Sequence, residues 1–439
     1  MLANEAPARG AGGRAQFFPE ATDAEWDDWR WQYRNRVRDL DVLSRLLPLT
    51  AAEYKQLKLL GPRLHLGIPP YYLSLIDPQD PEDPVRRQAV PSPAEFLPQH
   101  PGLVDPLAED HHMTVEGLVH KYPDRALFIA TNMCPMYCRH CTRRREWDEG
   151  EKPKNRGQLD RMIGYIRETP QIRDVIFSGG DPLSLPLSVL DYCLSELRKI
   201  PHVEIIRIGT RYPVVLPQRI TEDLTNLLSR HLPLWVHTHF NHPNEITPES
   251  SEACRRIQRA GVPMNNQSVL LRGVNDSAET MLRLGHGLLR IGVRPYYLFQ
   301  CDPVRGAEHL RTSVWTGVEI LEKMRGHTSG FAVPTFVVDT EGGGKIPLGP
   351  TYHLYSTEDA LVLRNYEGRI FQYRNPAPPP PRRQRRAPGL PFDEADKPRK
   401  PRPVVERFIE IEGMTPEECA NRKSFADLTS IDPQPRMTL

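Results

Sequence analysis

The sequence predicts an α/β fold: a helical leading domain, then a series of parallel βα units, then a disordered tail rich in proline and arginine. Three observations predict it. Short β-prone runs at 127–131, 175–178, 204–209, 234–240, 264–271 and 293–299 alternate with helical periodicity at 157–168, 187–199, 220–230, 249–260 and 279–291. Six strands alternating with helices imply parallel pairing through right-handed crossovers. Ahead of them Trp26, Trp29, Tyr33, Val37, Leu40, Leu43 and Leu47 recur at steps of three and four, the spacing of one helix face. Behind them, residues 376–403 hold ten prolines and eight Lys/Arg, which suits an extended linker rather than a core.

In chain order, residues 1–15 are small and polar and are expected to be mobile. Residues 16–120 form the helical domain, in which Thr50 and Glu53 read as a capping box opening a helix. A proline-broken stretch, 68–106, has no clear period. Residues 121–375 carry the βα units, and periodicity leaves a closed barrel, an open barrel and a doubly wound sheet all open. A helix over 314–325 leads to a strand at 332–339 and a glycine run, and 361–373 reads as a hairpin with Glu-Gly at its turn. Residues 376–439 are the tail, with one amphipathic piece at 404–411.

The 439 residues carry 57 Lys+Arg against 56 Asp+Glu, a net charge of +1. No global field therefore points to nucleic acid or a membrane surface. No apolar stretch reaches the ~18 residues of a membrane span, and the N-terminus lacks a signal-peptide core, so the expectation is a cytoplasmic protein. Seven cysteines, an odd number in a long chain, argue against a disulfide scaffold.

Three of those cysteines, Cys134, Cys138 and Cys141, follow the first strand directly, at the strand end where βα folds place their chemistry. Three thiolates can hold three corners of an iron–sulfur cubane and leave one iron open for a small molecule. Zinc is the competing reading, but structural zinc takes four ligands, and the fourth would have to be His140 or something distant. A second glycine-rich turn, Ser178-Gly179-Gly180-Asp181, ends the next strand. Further on, Gly342-Gly343-Gly344-Lys345 follows an apolar strand. A P-loop is excluded, since Asp339 stands where its first glycine belongs and Ile346 follows the lysine. What remains is a solvated lysine in a flexible turn, or a lysine able to form a Schiff base with an aldehyde cofactor and swing away.

The run CPMYCRHC resembles the cysteine signature of the radical S-adenosylmethionine (SAM) superfamily, with His140 in the aromatic place. Together with RYPVVLPQRIT, THFNHPNEIT, NNQSVLLRGVND, RPYYLFQCD and RGHTSGFAVPTFVVD, it is similar to the lysine 2,3-aminomutase family over about residues 20–375. The resemblance implies a partial (β/α)6 barrel and a reaction that moves an amino group from the α to the β carbon of a free amino acid. It implies three cofactors: a 4Fe-4S cluster on Cys134, Cys138 and Cys141; SAM near Ser178, Gly179, Gly180, Asp181, His140 and Gln267; and pyridoxal phosphate (PLP) on Lys345. Lys121, Tyr122 and Arg125 match the contacts to the PLP phosphate, Lys121 replacing an arginine. Arg143 matches the residue for the substrate carboxylate, and Asp302 and Asp339 match the acids that hold the distal ammonium of lysine. His237, His239 and His242 are read as polar residues at strand ends near SAM or PLP.

Three departures stand out. The loop before Lys345 is one residue shorter than the family's, with Glu341 in place of a proline. Ser277 occupies the barrel position of the family's structural zinc cysteine, and only Cys419 lies beyond residue 373, so no zinc site is expected. The basic tail is the third, either a solvated appendage or a segment that docks to an acidic partner or nucleic acid. The resemblance also implies a one-electron reductant such as flavodoxin or ferredoxin and a homo-oligomer; no membrane partner is expected, and the balanced charge gives no sign of a nucleic-acid one. Arginine competes with lysine as the substrate, since a guanidinium also satisfies two aspartates. Two different classes of function stay open beside it: a radical SAM enzyme that consumes SAM as oxidant, and a non-enzymatic scaffold for the tail.

Overall fold

The computed structural model describes residues 11–97, 102–357 and 359–376. The expected disordered tail beyond 376 and the first ten residues lie outside these. A helix, Ala11–Phe17, begins inside the segment expected to be mobile. It is held there because Arg14 pairs with Asp23 and stacks over Trp26, while Gly13 packs against the Ser74 backbone, where a Cβ would collide.

The helix read across 24–47 is three short helices: Asp23–Asp27, Trp29–Arg34 and Leu40–Leu46. Their breaks have a local cause. The Asp28 carboxylate accepts the first amides of the second helix while its own amide ends the first, and Asp39 caps the third. Between them Val37 pairs with Ile68, which turns the chain back. The capping box of Thr50 and Glu53 opens Ala51–Lys58 as read.

The sheet has ten strands: β1 (Met113–Val115), β2 (Leu118–Tyr122), β3 (Arg125–Ile129), β4 (Asp174–Ser178), β5 (Ile205–Gly209), β6 (Leu234–Thr238), β7 (Met264–Leu270), β8 (Arg294–Gln300), β9 (Thr335–Thr340) and β10 (Gly344–Pro347). They neighbour one another in chain order. Pairing is parallel from β3 through β9 and antiparallel at both ends. The run at 332–339 thus supplies a seventh parallel strand beyond the six expected. The helices Arg156–Glu168, Leu187–Arg198, Glu222–Ser229, Pro248–Arg259, Ala278–Arg290 and Val314–Met324 are the crossovers.

The sheet does not close, but it curls. The Lys345 amide in edge strand β10 donates to the Tyr122 hydroxyl in β2, at 2.8 Å, across the whole width of the sheet. This is an open barrel. Strands β11 (His353–Ser356), β12 (Ala360–Arg364) and β13 (Ile370–Arg374) form a separate antiparallel sheet, one strand larger than the hairpin expected. Among the described residues the main buried apolar core runs from Phe17 in the leading helices through the barrel to Tyr373, and a small second cluster gathers Leu271, Val274, Cys301, Val304, Ala307 and Leu310. Among the described residues no helix is long and apolar enough to cross a membrane.

The last crossover helix meets β9 through Gly317, where a Cβ would fall within 2.7 Å of three carbons of the buried Phe336 ring. Gly317→Ala would gain about 1 kcal/mol of helix propensity. Overpacking costs about 1–3 kcal/mol, so the expected net result is a lower midpoint of urea unfolding.

Candidate active site

The cysteine loop leaves β3 at the C-terminal edge of the barrel, and the leading helices hold it from behind. Arg36 Nη1 donates to the Cys134 carbonyl at 2.5 Å, and the Tyr137 amide donates to the Gly67 carbonyl at 3.1 Å. The Arg139 amide donates to the Gln88 carbonyl, while its guanidinium binds the Glu95 carboxylate and the His65 carbonyl. Cys134, Cys138 and Cys141 are free and half-buried. Burial pushes the Cys134 thiol well up, with Asp181 and the other two sulfurs adding to it, and burial with Cys138 pushes Cys141 up to about 12. The Cys134 thiol thus feels the sulfurs of Cys138 and Cys141, and the Cys141 thiol that of Cys138, so the three lie near one another. They fit a cationic iron cluster, which stabilises thiolates. Among the described residues no trio of His, Cys, Asp or Glu is gathered as a single metal ion would require.

The glycine turn after β4 lies directly against this loop. The Gly180 amide donates to the Thr131 carbonyl at 2.5 Å and the Asp181 amide to the Met133 carbonyl at 2.7 Å. A side chain at Gly179, whose φ is +144°, would overlap the Thr131 carbonyl, and one at Gly180 would stand 2.5 Å from Asn132 C. Only glycine permits this approach. The Asp181 carboxylate accepts from Thr210 Oγ1 and the amides of Arg211 and Leu183. Burial pushes it up to about 7, those hydrogen bonds opposing.

Around the turn, His140 Nδ1, His239 Nε2 and Thr238 Oγ1 are buried without a hydrogen-bond partner. The two imidazole rings lie 5.3 Å apart. Burial and the Arg211 guanidinium push His239 down to about 3 and His140 well below the usual range, so both are neutral. Unpaired buried polar atoms at strand ends fit a polar ligand such as SAM. Gln267, on β7, faces His237 Nδ1 at 3.2 Å. His242 caps the short turn Pro243–Glu245.

The lysine site sits where the edges of the sheet approach. Lys345 and Asp339 are cross-strand partners, and Lys345 Nζ lies 3.1 Å from Asp339 Oδ2. Lys121 Nζ is 3.8 Å from Asp339 Oδ1, an oxygen buried without a hydrogen bond. Thr142 Oγ1 donates to Asp302 at 3.3 Å. Burial and the nearby Asp339 raise the Asp302 carboxyl well above the usual range. Burial opposes the Lys345 charge, yet Asp339, Tyr122 and Asp302 together hold its ammonium above the ordinary value. Its side chain keeps 39% of its exposure, so a ligand can reach it. The Arg125 guanidinium lies 4.8 Å from the Tyr122 ring and pairs with Asp124. A reachable amine among cations and aromatic rings fits a carbonyl cofactor with an anionic arm, as PLP is.

Arg143 is engaged. Its Nε and Nη2 donate to the buried Glu109 carboxylate, and Nη1 donates to the Gly179 carbonyl at 3.1 Å. Sequence reasoning missed Glu109, which belongs to none of the motifs singled out. It also missed Arg211, although the motif RYPVVLPQRIT contains it. The buried Arg211 guanidinium donates to Cys138 Sγ at 2.9 Å and to Glu245 and Gln88.

Comparison with known proteins gives the family. Residues 128–285 match the model of the radical SAM superfamily and 321–387 the model described as lysine-2,3-aminomutase. The chain is 52% identical to L-lysine 2,3-aminomutase of Clostridium subterminale over 83% of its length and 88% of that protein. It is 50% identical to the L-lysine 2,3-aminomutase of Acetoanaerobium sticklandii over 82% of its length and 87% of that protein's. Glutamate 2,3-aminomutase of Clostridioides difficile is 44% identical, covering 80% of this chain and 83% of that one. With half its residues shared along more than four-fifths of its length, and the cysteine loop and lysine strand at one end of an open barrel, the chain belongs to the lysine 2,3-aminomutase family of the radical SAM superfamily.

Proposed function

We propose that this protein is an aminomutase that converts L-lysine to β-lysine by moving the amino group from the α to the β carbon. The observation that carries the substrate assignment is the pair of acids, Asp302 and Asp339, beside Lys345. Two carboxylates suit a distal ammonium and would repel the distal carboxylate of glutamate.

In this reading Cys134, Cys138 and Cys141 hold a 4Fe-4S cluster, while Ser178, Gly179, Gly180, Asp181, His140 and Gln267 surround SAM. Lys345, Lys121, Tyr122 and Arg125 hold PLP. When bound, the cluster and SAM supply a 5′-deoxyadenosyl radical that removes hydrogen, and PLP supplies a carbonyl that carries the substrate amine. Arg143 grips the α-carboxylate and the two aspartates fix the far end, so the β carbon of the substrate is presented in one orientation. Lys345 must shed its proton to act as a nucleophile, and Asp339 at 3.1 Å is placed to take part in that transfer. His140 and His239, kept neutral by burial and the Arg211 guanidinium, add no charge of their own. A one-electron reductant of the flavodoxin or ferredoxin class, a homo-oligomer, a cytoplasmic location and the division at residues 15, 120 and 375 belong to the same proposal.

The test is anaerobic incubation of cluster-reconstituted, PLP-loaded protein with SAM, reductant and a mixture of lysine, arginine and glutamate. β-Lysine formed over many turnovers per SAM supports the reading. β-Arginine would keep the reaction and move the substrate. Deoxyadenosine without any β isomer would overturn it.

The raised Asp302 carboxyl gives a pH signature. A group whose pKa is raised stays protonated further up the pH scale, and only its charged form attracts the distal ammonium. Lysine affinity is therefore expected to improve as pH rises through neutrality, before the substrate amines deprotonate. In Asp302→Asn the improvement should vanish and KM should rise about tenfold or more, the scale of one lost charged contact; KM profiles between pH 6 and 8 check it.

A further inference from the structure

We infer that Glu109 is a positioning residue that fixes Arg143 for the substrate carboxylate, leaving a single edge of the guanidinium free to receive it. The inference rests on the reading of Arg143 as the carboxylate anchor.

Glu109 is 4% exposed and lies just before β1, outside the barrel strands. Its two oxygens accept from Arg143 Nε at 3.1 and 2.9 Å, and Oε1 also accepts from Nη2 at 2.6 Å. Arg143 Nη1 donates to the Gly179 carbonyl. A guanidinium has five N–H donors in one plane. One hydrogen on Nε, one on Nη2 and one on Nη1 are committed, which leaves one on each terminal nitrogen. Those two are the donors that remain for a carboxylate.

The side-on grip of Glu109 therefore does two things. It blocks the edge where a second carboxylate would otherwise bind, and it sets the plane of the group that remains. The Gly179 bond ties that plane to the turn packed against the cysteine loop, so the carboxylate anchor and the cofactor end of the barrel are held in one frame. Arg145 Nη2 holds the other side of Glu109 at 3.1 Å, which keeps the carboxylate from following Arg143 if that side chain moves. Burial alone would raise the Glu109 carboxyl, but Arg143 and Arg145 bring it down to about 2, so it stays charged across the working pH range.

The geometry separates this role from general support of the fold. Glu109 should matter only to ligands that carry an α-carboxylate, and only while Arg143 is present. The experiment is calorimetric titration of the PLP-loaded full chain, without SAM, with L-lysine and with 1,5-diaminopentane, which has both amines and no carboxylate. In Glu109→Gln the Kd for lysine is expected to rise about tenfold and that for 1,5-diaminopentane to stay within twofold. Glu109→Asp, which keeps the charge at shorter reach, should recover part of the lysine affinity. In an Arg143→Gln background, Glu109→Gln should change lysine affinity no further. In turnover, KM should rise with kcat within threefold.

Equal lysine affinity in Glu109→Gln and the unaltered chain would overturn the inference. So would parallel losses for lysine and diaminopentane, or an undiminished effect of Glu109→Gln once Arg143 is gone. If the unaltered chain bound arginine rather than lysine, the substrate assignment would fail while the carboxylate test could be run with arginine and agmatine. If it bound no amino acid, both would fall.

Discussion

Lys345→Ala is expected to lose its PLP on gel filtration and to drop lysine turnover by about 10³-fold, within the range for removal of a positioned proton-transfer group. The strand pairing explains why the loss should be specific. Lys345 Nζ meets Asp339 across β9 and β10, and its backbone amide, which alanine retains, carries the bond to Tyr122. The fold therefore survives while the amine disappears. Absorbance of the purified protein measures cofactor retention, and the cluster absorbance should be unchanged. A small exogenous amine should restore part of the turnover, because the vacated space is open to solvent. Full retention of PLP by Lys345→Ala would remove Lys345 from its assigned role.

The largest effect on stability is expected at Glu95. Its carboxylate is fully buried between Arg139, itself 1% exposed, and Arg144. Burial pushes the carboxyl up, yet the two guanidiniums overcome it and bring it down to about 2. Removing one member of a buried ion pair leaves an uncompensated charge and costs about 3–5 kcal/mol. Glu95→Ala strands Arg139 with only the His65 carbonyl and the Trp147 ring as company. A drop of that size in unfolding free energy by urea titration is the expected outcome.

Because Arg139 lies between Cys138 and Cys141, reduced iron loading should accompany the lost stability. The acid limb carries a second signature. A depressed carboxyl contributes stability that is complete above its unfolded value of about 4.3 and is lost as pH falls toward 2. Glu95→Gln should lack that contribution, so its stability should fall less steeply over that interval than the parent's.

Much of the fold was legible because its causes are local. Apolar spacing at period two or 3.6 follows from which side of a strand or helix faces the core, and six parallel strands and their crossovers emerge from it. Where the leading helix departs from its apolar period, the cause is also local: Asp28 sits within that period and ends one helix while opening the next, and Asp39 opens the third. The strand at 332–339 was visible as a strand. Its parallel place beside β8 was not, because nothing in its composition names its neighbour.

The site divides in the same way. Cys134, Cys138, Cys141 and the Gly179-Gly180 turn declare themselves through spacing within one loop, and the motif context drew attention to Lys345. By itself the sequence determined the strand and helix order, the thiol loop and the family resemblance. Only the tertiary structure decided that the barrel stays open, that Lys345 and Asp339 sit opposite Tyr122 across its gap, and that Glu109 takes one edge of Arg143. It also decided that Glu95 is buried between two arginines of the cysteine loop. These are ion pairs and contacts between residues 34 to 223 positions apart. Their partners are brought together by crossovers and curl, and a charged side chain carries no local mark of the opposite charge that burial will give it.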